Sequence, residues 1–251
     1  MQIKEQIIAG STIDNEEIER FSRIADQWWD EKGKFAPLHS MNPVRIEFIR
    51  DTIINHTPHS TLQTPLAGVN LLDIGCGGGL IAEPMARLGA NVTAIDASEK
   101  NIAVAKLHAQ KMGLEINYEC TSAEQLAENK NAAFDVVLAL EIIEHIADIN
   151  LFIKSISTLL KPNGIVILST LNRTPKSYAL AILGAEYIFR ILPIGTHSWK
   201  KFLRPSEVCN ILEEHSLSVS EITGMVMNPL TWKWRLDKKD LSVNYMMIAT
   251  K

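Results

Sequence analysis

With 251 residues, 46% hydrophobic and 22% charged, the chain has room for one full α/β core with additions but not for a second independent domain. A net charge of -4 gives no general attraction to nucleic acid, so any basic patch must be local. Cys76, Cys120 and Cys209 stand far apart in no C-x-x-C pattern, which argues against a disulfide framework or zinc cluster and for a reducing, cytoplasmic setting.

Residues 1–13 carry no firm pattern and no apolar core of a secretory signal, and nowhere does an uninterrupted apolar run of about 18 residues offer a bilayer span. Asp14 with Glu17 three positions on is a helix-start signature. Ile18, Phe21, Ile24, Ala25 and Trp28 then recur at helical spacing, so a helix is expected to about residue 30, with Trp28 and Trp29 packing in the core. Asn42-Pro43 reads as an N-cap with proline in the first turn, starting a second helix that carries Arg45 and runs to about residue 54. Residues 1–68 thus form a helical cap before a core at 69–170. In that core, strands at 70–74, 91–95, 115–118, 134–140 and 165–169 alternate with helices at 80–88, 99–112 and 148–160, a pattern that implies a parallel sheet with helices on both faces. Beyond it lie an apolar insertion, 172–202, and a C-terminal part of the same domain, 203–251. The latter holds a helix from 204 to about 214, closing strands at 217–223 and 243–250, and a stretch at 228–240, with Trp232 and Trp234, that fits no element.

The first strand runs straight into Gly75-Cys76-Gly77-Gly78-Gly79. A turn without Cβ atoms lets a ligand approach the backbone closely, and the following helix aims free N–H groups at it, which suits a nucleotide-like group. A merely tight strand-to-helix connection would use the same glycines. The hydride-cofactor fingerprint G-x-G-x-x-G needs glycine at position 80, where Leu80 stands. The run instead fits D-x-G-x-G-x-G and resembles motif I of the class I S-adenosylmethionine (SAM)-dependent methyltransferases, with Asp73, Gly75 and Gly77 as cofactor contacts. Asp96, 21 residues after Gly75 at the tip of the second strand, can accept hydrogen bonds from both hydroxyls of a ribose. After the third strand, Ser122 stands where members of that class frequently place an acid toward the adenine.

The fourth strand ends in Leu140-Glu141-Ile142-Ile143-Glu144-His145, with Leu140 placed against the cofactor. Glu141 and His145 are an i, i+4 pair that one helical turn puts on one face, and two carboxylates with an imidazole can hold a divalent ion. The plainer reading is that both glutamates favour a helix N-terminus and His145 packs locally.

Several motifs together resemble the bacterial ubiquinone biosynthesis O-methyltransferase family over nearly the whole chain. They are Arg45 in Asn42-Pro43-Val44-Arg45, the glycine run, Glu141 to His145, Ser169-Thr170-Leu171-Asn172-Arg173 and Gly195-Thr196-His197, flanked by Trp28-Trp29, Pro37-Leu38-His39 and Asn244-Tyr245-Met246. The resemblance implies a Rossmann-like α/β fold with a mostly parallel seven-stranded sheet, its last strand antiparallel. It also implies two methylations of ring hydroxyls on the route from polyprenyl phenol to ubiquinone, with cofactor contacts at Arg45, Gly75, Asp96 and Leu140. Through the magnesium dependence of eukaryotic relatives it places Mg2+ on Glu141, Glu144 and His145. A divalent ion on a catechol oxygen would lower a phenol pKa that otherwise lies near 10. Without metal, a histidine has to be the base: His145, His39 and His197 are the candidates, and Glu141 is the other catalytic residue expected.

The most apolar stretch, 178–193, is punctuated by Glu186 and Arg190 and flanked by Arg173, Lys176, Lys200, Lys201 and Arg204. Residues 173–204 read either as a membrane contact with basic residues toward anionic headgroups or as a lid that excludes water. A membrane contact would place the protein peripherally at the inner face of the cytoplasmic membrane, beside other ubiquinone-synthesis proteins. Two other functions fit the residues: methylation of another small phenol, and a SAM-binding scaffold of a quinone-synthesis complex that does not catalyse. The acidic balance disfavours nucleic-acid methylation.

Overall fold

Alternation with period two sorts the side chains of the central strands between two faces. A computed structural model describes residues 11–56, 64–180, 199–228, 231 and 233–251. Its strands are β1 (Asn70–Ile74), β2 (Asn91–Asp96), β3 (Asn117–Cys120), β4 (Phe134–Leu140), β5 (Leu160–Leu171), β6 (Ser218–Met227), β7 (Trp234–Asp237) and β8 (Asn244–Thr250). The helices are α1 (Asn15–Ser22), α2 (Ala36–His56), α3 (Ala82–Arg87), α4 (Glu99–Lys111), α5 (Ala123–Asn129), α6 (Ile149–Leu159), the short α7 (Pro175–Ser177) and α8 (Pro205–Glu214). Leu71, Leu138 and Ile167 pack with Ile49 of α2, Met85 of α3 and Ile102 of α4. Their chain neighbours Leu72, Val137 and Leu168 pack on the opposite face with Leu126 of α5, Ile156 of α6 and Leu212 of α8. Each such side chain contributes roughly 1.5–3 kcal/mol by leaving water, so the strands buried on both faces fix the frame.

The sheet order is β3-β2-β1-β4-β5-β8-β6-β7. β1 to β5 are parallel and β8 runs antiparallel to both β5 and β6, as expected of the last strand. The order reverses between β1 and β4, so a crevice opens beyond the carboxyl ends of these strands.

Several boundaries differ from expectation. The first helix stops at Ser22, and a 3-10 turn at Ala25–Gln27 redirects the chain so that Trp28 stacks on Phe35 at 3.7 Å and donates to Asn101 Oδ1. The second helix begins at Ala36, with Pro43 inside it; the Asn42 side chain accepts from Arg45 rather than capping. β3 lies two residues later than expected, which sets Cys120 beside Asp96. The sheet has eight strands among the described residues, not seven, because 228–240 contains β7, paired antiparallel with β6. Its four residues are half-exposed or exposed and two of them are charged, as suits an edge strand, which leaves little apolar pattern to read. Most of the 172–202 insertion lies outside the described residues, with His197, Glu186 and Arg190; Trp232 does too.

Candidate active site

A cavity of about 870 Å³ extends from the glycine turn to a wall that includes Phe21, Ile142 and Ile146. Backbone bonds fix the turn: Gly75 and Cys76 donate to the Ile95 carbonyl at 2.8 and 3.0 Å, and Gly77 donates to Asp96 Oδ2 at 3.0 Å. Gly75 and Gly77 hold φ of +71° and +53°, where a side chain is strained. A Cβ on Gly75 would meet only the movable end of Ile142, whereas one on Gly77 would strike the rigid Trp28 ring, so at Gly77 the protein's own packing also requires glycine whatever ligand it faces. The second oxygen of Asp96 accepts from Ser98 N at 2.8 Å and Asn101 Nδ2 at 3.1 Å. Burial raises its pKa and these bonds oppose the rise.

Beside the turn, Arg45 from α2 and Asp73 from β1 are each only 3% exposed. Arg45 donates to Asn42 and lies 4.0 Å from Glu141 Oε1. Burial lowers its pKa against the opposing charges of Glu141 and Asp73. Burial pushes Asp73 up to about 7, with the Arg45 charge opposing and the Asp96 charge reinforcing. Arg45 Nε and Asp73 Oδ2 have no hydrogen-bond partner, a state that costs roughly 1–3 kcal/mol per atom. A ligand bearing a carboxylate and an ammonium on one carbon would satisfy both, and the methionine end of SAM has that chemistry. Leu140, at the tip of β4, lines the same cavity. Ser122 also lines it, but its hydroxyl accepts from Gln125 N at 3.4 Å as the N-cap of α5.

Past Leu140 the chain does not continue as a helix. Glu141 has φ +50° and donates its N–H to the Ser169 carbonyl at 2.9 Å, while its Oε1 accepts from Ser169 Oγ at 2.9 Å. A 3-10 turn, Ile143–His145, follows. The left-handed residue and the tighter turn break the i, i+4 relation expected of Glu141 and His145. Glu144 is buried and accepts from Thr170 Oγ1 at 2.7 Å. His145 Nδ1 lies 3.1 Å from Glu17 Oε2, with its ring edge-on to Phe21 at 5.3 Å between centroids. The three candidate ligands therefore turn to three different partners, and among the described residues no group of three or more His, Cys, Asp or Glu side chains is arranged to hold a metal ion. The donor set does not fit a divalent ion. Of the other candidate bases, His39 Nε2 is 2.8 Å from the Trp28 carbonyl and is thereby engaged.

Glu17 was not among the expected site residues. Read as a helix-start signal, its side chain instead reaches His145, 128 positions away, and also pairs with Arg20 and with Lys201 at 3.2 Å. Burial raises its pKa, but the hydrogen bond and charge of His145 with the charges of Arg20 and Lys201 outweigh it and hold Glu17 at about 2. No local pattern announces that bond.

Residues 72–168 match a family model described as a methyltransferase domain. The fold is shared with a SAM-dependent methyltransferase of Thermotoga maritima described as a possible histamine N-methyltransferase (TM-score 0.62, 18% identity, 94% of this chain and 98% of that one). It is shared too with magnesium protoporphyrin IX methyltransferase of Synechocystis carrying bound SAM (TM-score 0.59, 16% identity, 95% of this chain and 98% of that one). With the glycine turn and the buried Arg45 and Asp73, this defines a Rossmann-like SAM-dependent methyltransferase.

At higher similarity, the chain is 52% identical over 236 residues to the ubiquinone biosynthesis O-methyltransferase of Pelagibacter ubique, across 94% of this chain and 97% of that protein. It is 50% identical over 244 residues to that of Bartonella quintana, across 96% and 97%. The chain belongs to the ubiquinone biosynthesis O-methyltransferase family.

Proposed function

We propose that the enzyme methylates ring hydroxyls of a polyprenyl phenol and, later on the same route, of demethylubiquinol, with His145 taking the phenol proton. The observation that carries this reading is the His145 imidazole in the cavity that Arg45 and Asp73 border. A carboxylate only accepts, so Glu17 keeps the proton on Nδ1 and leaves the Nε2 lone pair as the acceptor. SAM supplies a methyl group already made electrophilic by its sulfonium. Arg45, Asp73 and Asp96 hold the amino-acid and ribose ends, with Gly75, Gly77, Leu140 and Ser122 as the surrounding wall. Phe21, Ile142 and Ile146 seat the ring and exclude water. As the phenol oxygen bonds to the methyl carbon and the carbon–sulfur bond breaks, the hydroxyl proton passes to His145 Nε2, leaving a methyl ether and S-adenosylhomocysteine. Glu141 contributes by holding Arg45 and Ser169 in place.

A polyprenyl tail resides in a bilayer, and the same reading brings residues 173–204 to the inner face of the cytoplasmic membrane, near other proteins of the route. No described helix is long and apolar enough to cross a membrane. Tyr178, Leu180 and Trp199 are exposed on either side of 181–198. The basic flank contributes less than its composition suggests: Arg173 pairs with Glu207, Lys176 with Asp240, and Lys201 with Asp14 and Glu17. Lys200 and Arg204 are the headgroup contacts we assign.

The test is methyl transfer from labelled SAM to a short-tailed demethylubiquinol kept reduced, beside a soluble catechol, with and without EDTA. Transfer to the tailed quinol that persists in EDTA is the expected result. Turnover lost in EDTA would return Glu141, Glu144 and His145 to metal ligation and remove His145 as base. Equal turnover of the soluble catechol would favour another phenol, and SAM binding without any transfer would favour the scaffold.

A further inference from the structure

α1 lines the cavity through Glu17, Ile18, Arg20 and Phe21 and is tied down at its N-terminal end. Before it, Thr12 donates from N and Oγ1 to Glu124 at 2.9 and 2.5 Å, and the Thr12 carbonyl accepts from Ala147 N at 3.1 Å. Asp14 caps α1 and also receives Lys201 Nζ at 2.9 Å. These anchors set Glu17, which is 13% exposed, against His145, which is 14% exposed. The Glu17 carboxylate faces three groups: His145 Nδ1 and Arg20 on Oε2, and Lys201 on Oε1.

We infer that Glu17 is the positioning residue for His145, a carboxylate delivered from the N-terminal cap that fixes the ring's orientation and its Nδ1–H tautomer. The inference rests on His145 as proton acceptor. A free imidazole favours the other tautomer, with hydrogen on Nε2, and that form presents no lone pair to a phenol on the cavity side. With Arg20 and Lys201 on the same carboxylate, Glu17 remains an acceptor and does not itself take the proton. Lys201 lies three residues past the 181–198 segment, so the chain after the insertion and the cap before the core meet on one carboxylate.

Glu17→Ala is expected to lower kcat about 10–100-fold, less than the roughly 10²–10⁴-fold contributed by a general base itself, while the affinity for S-adenosylhomocysteine stays unchanged by calorimetry. Glu17→Gln, whose amide oxygen can still accept from Nδ1–H, should recover part of the loss and guards against a folding defect in the alanine variant. The decisive readout is the double variant with His145→Asn. If Glu17 acts through His145, adding Glu17→Ala to His145→Asn costs nothing further; the same loss in both backgrounds would mean that Glu17 merely holds α1 in place and would overturn the inference. Nitrogen-15 spectra of His145 should show the Nδ1–H form in the parent enzyme and a shift toward Nε2–H in Glu17→Ala. Full kcat in Glu17→Ala and Glu17→Gln with loss in His145→Asn would sink the positioning role alone. Full kcat in His145→Asn would sink the base reading with it.

Discussion

The half of the cavity we assign to the cofactor takes Asp73, Gly75, Gly77 and Asp96 from the adjacent ends of β1 and β2, whereas the half we assign to the acceptor draws on His145, Glu144, Ser169, Thr170, Glu17 and Lys201 from four separate stretches of chain. In the first, geometry is held by parallel register and backbone bonds, such as those of Gly75 and Cys76 to Ile95, that any sequence with this sheet would make. In the second, it is held by single side-chain bonds, each worth about 0.5–1.5 kcal/mol net, so one substitution can redirect a catalytic group without disturbing the fold. A scaffold-defined site resists drift in its cofactor, and a side-chain-defined one lets acceptor chemistry vary.

That contrast can be broken most severely at His145. His145→Asn is expected to reduce kcat about 10²–10⁴-fold with SAM affinity unchanged, measured by single-turnover kinetics and calorimetry. A parallel loss of SAM affinity would show that the two halves are not separable. Gly77→Ala should destabilise the fold by about 2–4 kcal/mol in urea titration, since it combines φ +53° with a clash against Trp28; a stable variant would mean that Trp28 does not pack on the turn.

Arg45→Met should weaken SAM binding by about 2–3 kcal/mol, through loss of a buried charged donor, while kcat at saturating SAM changes little. The Asp73 carboxyl titrates at about 7 in the folded chain against 3.8 ordinarily. Because the folded state binds the extra proton between those values, its contribution to stability is full below 3.8 and is lost as pH rises through 7. Binding an ammonium there ionises Asp73, so SAM should release close to one proton at pH 6 and almost none at pH 8.5, and affinity should fall by up to about tenfold per unit below pH 7. Calorimetry in buffers of different ionisation heat reads this directly; Asp73→Asn should abolish the release. The smallest effect is expected at Ser122→Ala, a loss of about 1 kcal/mol of stability from an uncapped α5, with SAM affinity held. A large loss of affinity instead would mean that the hydroxyl serves the adenine.

Sequence reading captured the double-sided strands because Leu71-Leu72 and Val136 to Leu140 are continuously apolar, a pattern that suits a strand buried on both faces. It also placed α4, expected at 99–112 with Gly113 as its stop and found at Glu99–Lys111; the Ser98 cap that starts it emerged from the structure. It missed β7, whose edge position leaves it polar, and it ran the first helix past Ser22, because helical spacing through Trp28 cannot reveal that Trp28 turns back onto the glycine loop. Glu141, Glu144 and His145 were identified as a group, yet their divergence was hidden in one dihedral, the +50° φ of Glu141.

By itself, then, the sequence determined the α/β alternation, the glycine turn and the positions of Asp73 and Asp96, because these follow from local periodicity and from short spacings along one chain direction. Only the tertiary structure decided that Arg45 would be buried against Asp73, that Glu141, Glu144 and His145 would face apart, and that Glu17 would meet His145. Those contacts join residues up to 128 positions apart, and a bond across that separation depends on where the whole sheet carries each strand end, which no local pattern encodes.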